Sequence, residues 1–288
     1  MAEPQSIPPE ISPRMAEYAQ RLSEIEPLRA AAIQAAMDAL DLPPGSSGLD
    51  VGCGIGLHTC LLAQRVGAGG RVTGLDHSPA FVYLAGQRAA EAGLGARATF
   101  EVGDLTALEY EDGAFDWLWC NDVLWPGPAA MGCPTDEPLP VVRNFARVMR
   151  PGGRVALVYW SSQRLLPGYP GLEARLSATP QTFAPYREGM RPQQHNMRAL
   201  GWLAAAGLRG LSARTFVAEA QAPLDAALRR ALAATLDMFW GQVQDEVSAR
   251  DWALFERLRR PGSGACILDA PDYYAFLTYT LFSGCVPG

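Results

Sequence analysis

The sequence predicts an α/β domain built on a doubly wound, mostly parallel sheet that carries helical insertions. Three observations lead there. Short apolar runs alternate with helical segments between Leu49 and Trp160, the pattern of successive βαβ units. Glycine-rich turns, GAGG at 67–70 and PGG at 151–153, separate them. The 288 residues are 49% hydrophobic and 19% charged, enough to bury the core that such a sheet needs.

Taken in order, residues 1–13 hold Pro4, Pro8, Pro9 and Pro13 and predict an irregular arm. Two helices are expected next, Arg14–Ile25 and Pro27–Leu40. The second has Leu28, Ala32, Ile33, Ala36 and Leu40 at helical spacing and Pro27 in its first turn. DLPPGSSG then breaks the helix. Strands are expected at Gly48–Val51, Arg71–Leu75, Ala98–Val102, Phe115–Cys120 and Arg154–Trp160. The helices between them are Leu57–Val66, Pro79–Ala92 and Leu139–Met149. Crossovers of this kind imply parallel strands with helices on both faces. Ser161–Pro192, rich in Pro, Tyr and Arg, reads as an irregular insertion. A helix (Asn196–Ala206) and a strand (Leu211–Ala220) resume the rhythm. Residues 223–260 then read as helical, with Leu224, Leu228, Leu232, Leu236 and Phe239 on one face. The β-branched and aromatic run YYAFLTYTLFSG predicts a last strand at Ala275–Ser283.

Composition removes several functions. All 24 basic residues are Arg, so Schiff-base chemistry, lysine bases and a Walker lysine are excluded. A net charge of -6 is expected to repel a phosphate backbone, so no nucleic acid partner is predicted. The N-terminus lacks the basic start and apolar run of a secretory signal, and no stretch is long and apolar enough to span a membrane. Cys53, Cys60, Cys120, Cys133, Cys266 and Cys285 show no metal-ligand spacing. They read as free thiols in a cytoplasmic protein without a metal.

The chemistry is concentrated in LDVGCGIG, residues 49–56, between a strand and a helix. Gly52, Gly54 and Gly56 allow a sharp turn and close approach of a ligand to the main chain. The following helix start offers N–H groups and partial positive charge. A dinucleotide fingerprint, G-x-G-x-x-G, would put its third glycine at position 57, where this chain has Leu57. Asp50, at the strand end, can accept from a cationic amino group and would repel a phosphate.

D-V-G-C-G-I-G resembles motif I of the class I S-adenosylmethionine-dependent methyltransferases, above all the broad small-molecule (type 11-like) group. Further motifs match in order, specifically over residues 48–160 and more loosely to 220. The resemblance implies a Rossmann-like methyltransferase fold with seven strands, the seventh lying antiparallel between the fifth and sixth. That order makes 221–271 a helical lid insertion and 272–288 the strand returning to the core. The resemblance also implies S-adenosylmethionine as cofactor. Asp76 in VTGLDHS falls where the family's acid holds both ribose hydroxyls. Asp104 matches the residue that receives the adenine amino group, with Leu105 against the ring. Cys120 and Asn121 border the methionine portion. Cys53 contributes its backbone, and His58 and His77 lie inside the same motifs.

Methyl transfer from a sulfonium mainly demands alignment and exclusion of water, with a base only where the acceptor keeps its proton. His195 is the best candidate for a base, against the plainer reading of a helix-terminal or surface histidine. Trp125, Tyr159 and Trp160, with Tyr169 and Tyr186, are candidates for an aromatic acceptor pocket at the carboxyl edge of the sheet. Trp117 and Trp119 read as core. N-D-V-L-W stands where amino-group methyltransferases of nucleic acids and proteins carry N-P-P-Y or D-P-P-Y. The expected activity is therefore O- or C-methylation of a small molecule, with N open. The alternative is a cofactor-binding regulatory or partner subunit of the same fold.

Overall fold

In the computed structural model, which describes residues 11–129, 132–183, 185–186 and 190–288, seven strands form one twisted sheet. They are β1 (Ser47–Val51), β2 (Arg71–Asp76), β3 (Ala98–Val102), β4 (Phe115–Asn121), β5 (Met149–Arg164), β6 (Arg209–Gln221) and β7 (Tyr274–Cys285). Their order is β3-β2-β1-β4-β5-β7-β6. The first five pair in parallel, whereas β7 runs antiparallel to both β5 and β6. The order reverses at β1 and β4, leaving a crevice beyond their carboxyl ends, where open sheets of this kind bind ligands.

Nine α-helices are described: α1 (Pro13–Asp38), α2 (Leu57–Arg65), α3 (Pro79–Glu91), α4 (Pro138–Arg147), α5 (Pro170–Ser177), α6 (Pro180–Phe183), α7 (Ala199–Ala205), α8 (Ala226–Trp240) and α9 (Ala249–Arg259). The sheet has a core on each face. Trp117, Trp119 and Val158 point to the side covered by α1, α2 and α8. Leu118, Cys120, Leu157 and Tyr159 point to the side covered by α4 and α7. Alternation along β4 and β5 fills both cores, as a strand's two-residue period requires.

Three expectations need correction. The two N-terminal helices are one, α1, running through Pro27. Proline removes one hydrogen bond, but Leu28, Ala32, Ile33, Ala36 and Met37 bury a continuous stripe that outweighs it. The helix starts at Pro13, capped by Ser12, whose Oγ accepts from the Met15 amide at 3.3 Å; residues 1–10 of the expected arm lie outside the described residues. The stretch 161–192 is not irregular throughout, since it contains α5 and α6. Pro170 opens α5, and Leu172 and Leu176 bury one side of it. The Arg175 guanidinium donates to both Asp251 oxygens, at 2.8 and 2.7 Å, tying α5 to α9. Finally, 223–260 is two helices, separated at Gly241 and a 3-10 turn at Gln244–Glu246.

Candidate functional site

The crevice opens into a cavity of about 1080 Å³, above the ~300–1,000 Å³ of ordinary single-ligand sites. Its wall is built from the turns after β1, β2, β3 and β4, from β5 and β7, and from α1, α5, α6 and α8.

At one end stands the glycine turn. Gly52, Gly54 and Gly56 all have positive φ, 72°, 53° and 76°. The amides of Gly52 and Cys53 donate to the Leu75 carbonyl at 2.7 and 3.0 Å, which pins the turn to β2. A Cβ on Gly52 would lie 2.3 Å from Val123, and one on Gly56 would lie 2.8 Å from Ala85. A Cβ on Gly54 would find only Leu22, at 3.6 Å, so that glycine faces open space. Asp76 is buried and accepts the Gly54 amide on Oδ2 and the Ser78 amide on Oδ1, each at 2.9 Å. His77 beside it is almost fully exposed, with Nδ1 3.3 Å from Asp76. Asp104 uses Oδ1 for the Thr106 amide and hydroxyl, both at 2.8 Å, and Leu105 shares its stretch of wall. Cys53 lines the cavity with its thiol pushed up by burial, and hence protonated. His58 also reaches the wall, its ring edge-on to Trp119 at 6.2 Å. Asn121 lies between the two ends and donates from Nδ2 to the Val158 carbonyl at 3.2 Å.

The other end is aromatic. Trp125 packs edge-on against Tyr186 at 6.2 Å, and Tyr186 stacks on His195 at 4.3 Å. Across the cavity Trp160 meets Phe239 at 5.0 Å. The Tyr186 hydroxyl, pushed up to about 12 by burial, accepts from the Asn196 amide at 3.0 Å.

Several expected site residues lie off this wall. Asp50 is buried beneath the turn, where Oδ2 accepts from the Thr59 hydroxyl at 2.6 Å, so it anchors the first turn of α2 and does not face the cavity. Gly56 packs against α3. Cys120 and Tyr159 are fully buried on the α4 and α7 side of the sheet. The Tyr159 hydroxyl donates to the Leu124 carbonyl at 3.0 Å, supporting Trp125 from behind. Tyr169 caps the start of α5 and packs against the larger core. His195 is on the wall, but its Nδ1 accepts from the Met197 amide at 3.1 Å. Burial lowers its affinity for a second proton. In this arrangement Nδ1 is occupied as an acceptor, which leaves Nε2 as the ring atom available to a ligand.

Sequence reasoning missed Tyr18 and Arg29 from α1, Asp122 after β4, and Tyr279 from β7, all on the wall. Only Asp122 left a local signal. Asn and Asp are the non-glycine residues that most tolerate positive φ, and Asp122 has φ 52° in an Asn-Asp pair. Among the described residues there is no group of acidic, His or Cys side chains able to hold a metal. No described helix is long and apolar enough to cross a membrane.

A family model described as a methyltransferase domain matches residues 43–205, more than half of the chain. Methyltransferase GfsG of Streptomyces halstedii is 33% identical over 155 residues, covering 54% of this chain and 47% of that protein. The 27-O-demethylrifamycin SV methyltransferase of Amycolatopsis mediterranei is 36% identical over 135 residues, 47% of this chain and 45% of that protein. The matched stretch thus spans less than half the length of these relatives. Among solved structures, a chain from the complex between the Haloferax volcanii Trm112 methyltransferase activator and the putative methyltransferase superposes with a TM-score of 0.57. It does so at 18% identity over 97% of this chain and 98% of that one, a likeness of fold.

Proposed function

The chain belongs to the methyltransferase-domain family, and on that premise we propose that it binds S-adenosylmethionine and methylates a small-molecule acceptor at oxygen or carbon. The observation that carries this reading is the cofactor end of the cavity. Gly54 opens on free cavity space, with only Leu22 near the position of a Cβ, and carboxylates stand at the end of β2 and after β3 on the same rim. Such a rim suits a ligand with hydroxyls, an amine and a cationic center, and disfavors one with phosphates. Asp76 holds the ribose hydroxyls, and its two amide contacts fix the carboxylate before the ligand arrives. Asp104 receives the adenine amino group with Leu105 against the ring. The glycine turn and Asn121 border the methionine portion, the Gly52 and Cys53 amides being spent on Leu75 and that of Gly54 on Asp76.

S-adenosylmethionine supplies an electrophilic methyl group on a sulfonium. The chain's share is to hold the acceptor in line and to keep water out. The aromatic end, with Trp125, Trp160 and Tyr186, suits a flat or apolar acceptor, and the cavity has room for it beside the cofactor. The Amycolatopsis relative, named as the methyltransferase of an O-demethylated small molecule, supports this class. We read α1, 161–195 and 221–271 as a lid over the carboxyl edge. The six free cysteines, five of them buried, support a reducing cytoplasm.

Calorimetric titration with S-adenosylmethionine tests the first half. Formation of S-adenosylhomocysteine on addition of a small-molecule extract tests the second. Tighter binding of NAD than of S-adenosylmethionine ends the reading. Cofactor binding without turnover under any extract favors a regulatory subunit instead.

A further inference from the structure

Three polar side chains from three elements meet between the cofactor and aromatic ends of the cavity. Arg29 comes from α1, Asp122 from the turn after β4, and Tyr279 from β7. Arg29 and Tyr279 are buried, at 7% and 0% exposure. Arg29 spends Nε on Glu26 at 2.7 Å, and among the described residues its terminal nitrogens make no well-formed hydrogen bond. Asp122 sits at φ 52°, a strained conformation that the Trp160 amide locks by donating to Oδ1 at 2.8 Å. The Tyr279 hydroxyl lies beside Asp122 and Arg29, yet it is buried with no partner of good geometry among the described residues. A buried hydroxyl left without a partner in a cavity wall asks for one from a ligand.

A carboxylate, a guanidinium and a hydroxyl that lies beside both without a well-formed bond to either form a complete set for ionizing a bound hydroxyl. We propose that Asp122 is the catalytic base for a phenolic or enolic acceptor, and that Arg29 and Tyr279 hold the oxyanion it leaves. The inference rests on the methyl-transfer reading above. The acceptor O–H bond breaks, its proton passes to the Asp122 carboxylate, and the electron pair stays on the oxygen. That oxygen replaces the carboxylate as the counter-charge of Arg29 and accepts from the Tyr279 hydroxyl. Glu26 and Arg29 keep their charges and the proton only moves from the acceptor to Asp122, so the net charge of the dry site is the same before and after. Burial raises the Asp122 carboxyl above the ordinary range, which favors its accepting a proton. Tyr18 and His58 share the wall with this carboxylate and feel its charge, Tyr159 and Cys120 feel it from the opposite face of the sheet, and Glu26 pairs with Arg29. The aromatic pairs on either side suit a ring bearing the hydroxyl.

The test uses 4-nitrophenol, whose neutral and ionized forms absorb differently, added to the full chain saturated with S-adenosylhomocysteine. Saturation is first established by calorimetry; its failure would bring down the methyl-transfer reading itself. Wild type should bind the probe as phenolate even where free probe is neutral. Its affinity should be flat between the pKa of Asp122 in the free protein and that of the probe, and weaken about tenfold per pH unit above the latter. Asp122→Asn keeps a residue that tolerates the left-handed backbone but cannot take the proton. It should bind only preformed phenolate, with affinity rising about tenfold per unit below the probe's pKa. Tyr279→Phe removes one donor to the oxyanion; it should weaken binding about tenfold and shift the bound probe toward the neutral form. Circular dichroism checks that each variant folds, and Tyr279→Phe decides the matter if Asp122→Asn does not. The proposal is overturned by absence of saturable probe binding to wild type, by a bound probe that stays neutral, or by variants that leave the pH profile and spectrum unchanged.

Discussion

Asp50→Asn should stabilize the protein near neutral pH, by an amount that depends on pH in a defined way. Asp50 is buried at the end of β1, with the Thr59 hydroxyl as its hydrogen-bond partner. Burial raises its carboxyl from 3.8 to about 6, more than the Thr59 hydrogen bond and the charge of His58 lower it. Between those values the native state binds more protons than the unfolded chain, so stability falls as pH rises through the window and stays lower above it. A shift of about two units at ~1.4 kcal/mol each is about 3 kcal/mol. The asparagine keeps the shape and an acceptor for Thr59, and it does not titrate. Its stability relative to wild type should therefore grow by about 2.5 kcal/mol between pH 4 and pH 7. Urea unfolding of both proteins at a series of pH values measures the difference. A difference that is constant over that range, or that moves in favor of wild type as pH rises, refutes the argument.

Asp76→Ala should weaken S-adenosylmethionine by about 1.5–3 kcal/mol, the scale of charged hydrogen bonds to two hydroxyls; calorimetry showing no loss would remove Asp76 from the site. Deleting residues 272–288 should abolish folding, because Leu277, Tyr279, Leu281 and Phe282 are buried. Burial is worth ~1.5–3 kcal/mol for a large side chain, against a whole-domain stability of ~5–15 kcal/mol; a soluble truncation with unchanged melting temperature would refute this. At a net charge of -6 the protein should not retard DNA or RNA at physiological salt, and a salt-sensitive shift at micromolar protein would contradict that.

The central βαβ units were legible because each couples a local period to a glycine turn. The departures arise where long-range packing overrides a local signal. Pro27 reads as a helix start, yet the stripe from Leu28 to Met37 packs as one with the preceding turns. Within the site, the errors have a one-residue logic. Successive residues of a strand face opposite sides, so Trp160 lines the cavity while Tyr159 is buried behind it; Asn121 and Cys120 divide in the same way. Placing a residue at a strand end does not say on which face it lies. Arg29 and Tyr279 are far apart in sequence and meet only because α1 packs across the sheet beside β7. No pattern within either segment reports that meeting.

The three glycines of the turn show why a motif can be recognized before its parts are understood. All share positive φ, and the sequence gives them one reason, a sharp turn close to a ligand. The surroundings separate them. Gly52 is required by Val123 on the neighboring turn after β4, and Gly56 by the approach of α3 at Ala85. Both would be demanded by packing even without a ligand, whereas Gly54 is bounded by open cavity and by the Asp76 carboxylate that takes its amide. A side chain at Gly52 or Gly56 should thus act first on stability, and one at Gly54 first on the ligand. The motif is specific because both demands fall within five residues, at the one edge of the sheet where the strand order reverses.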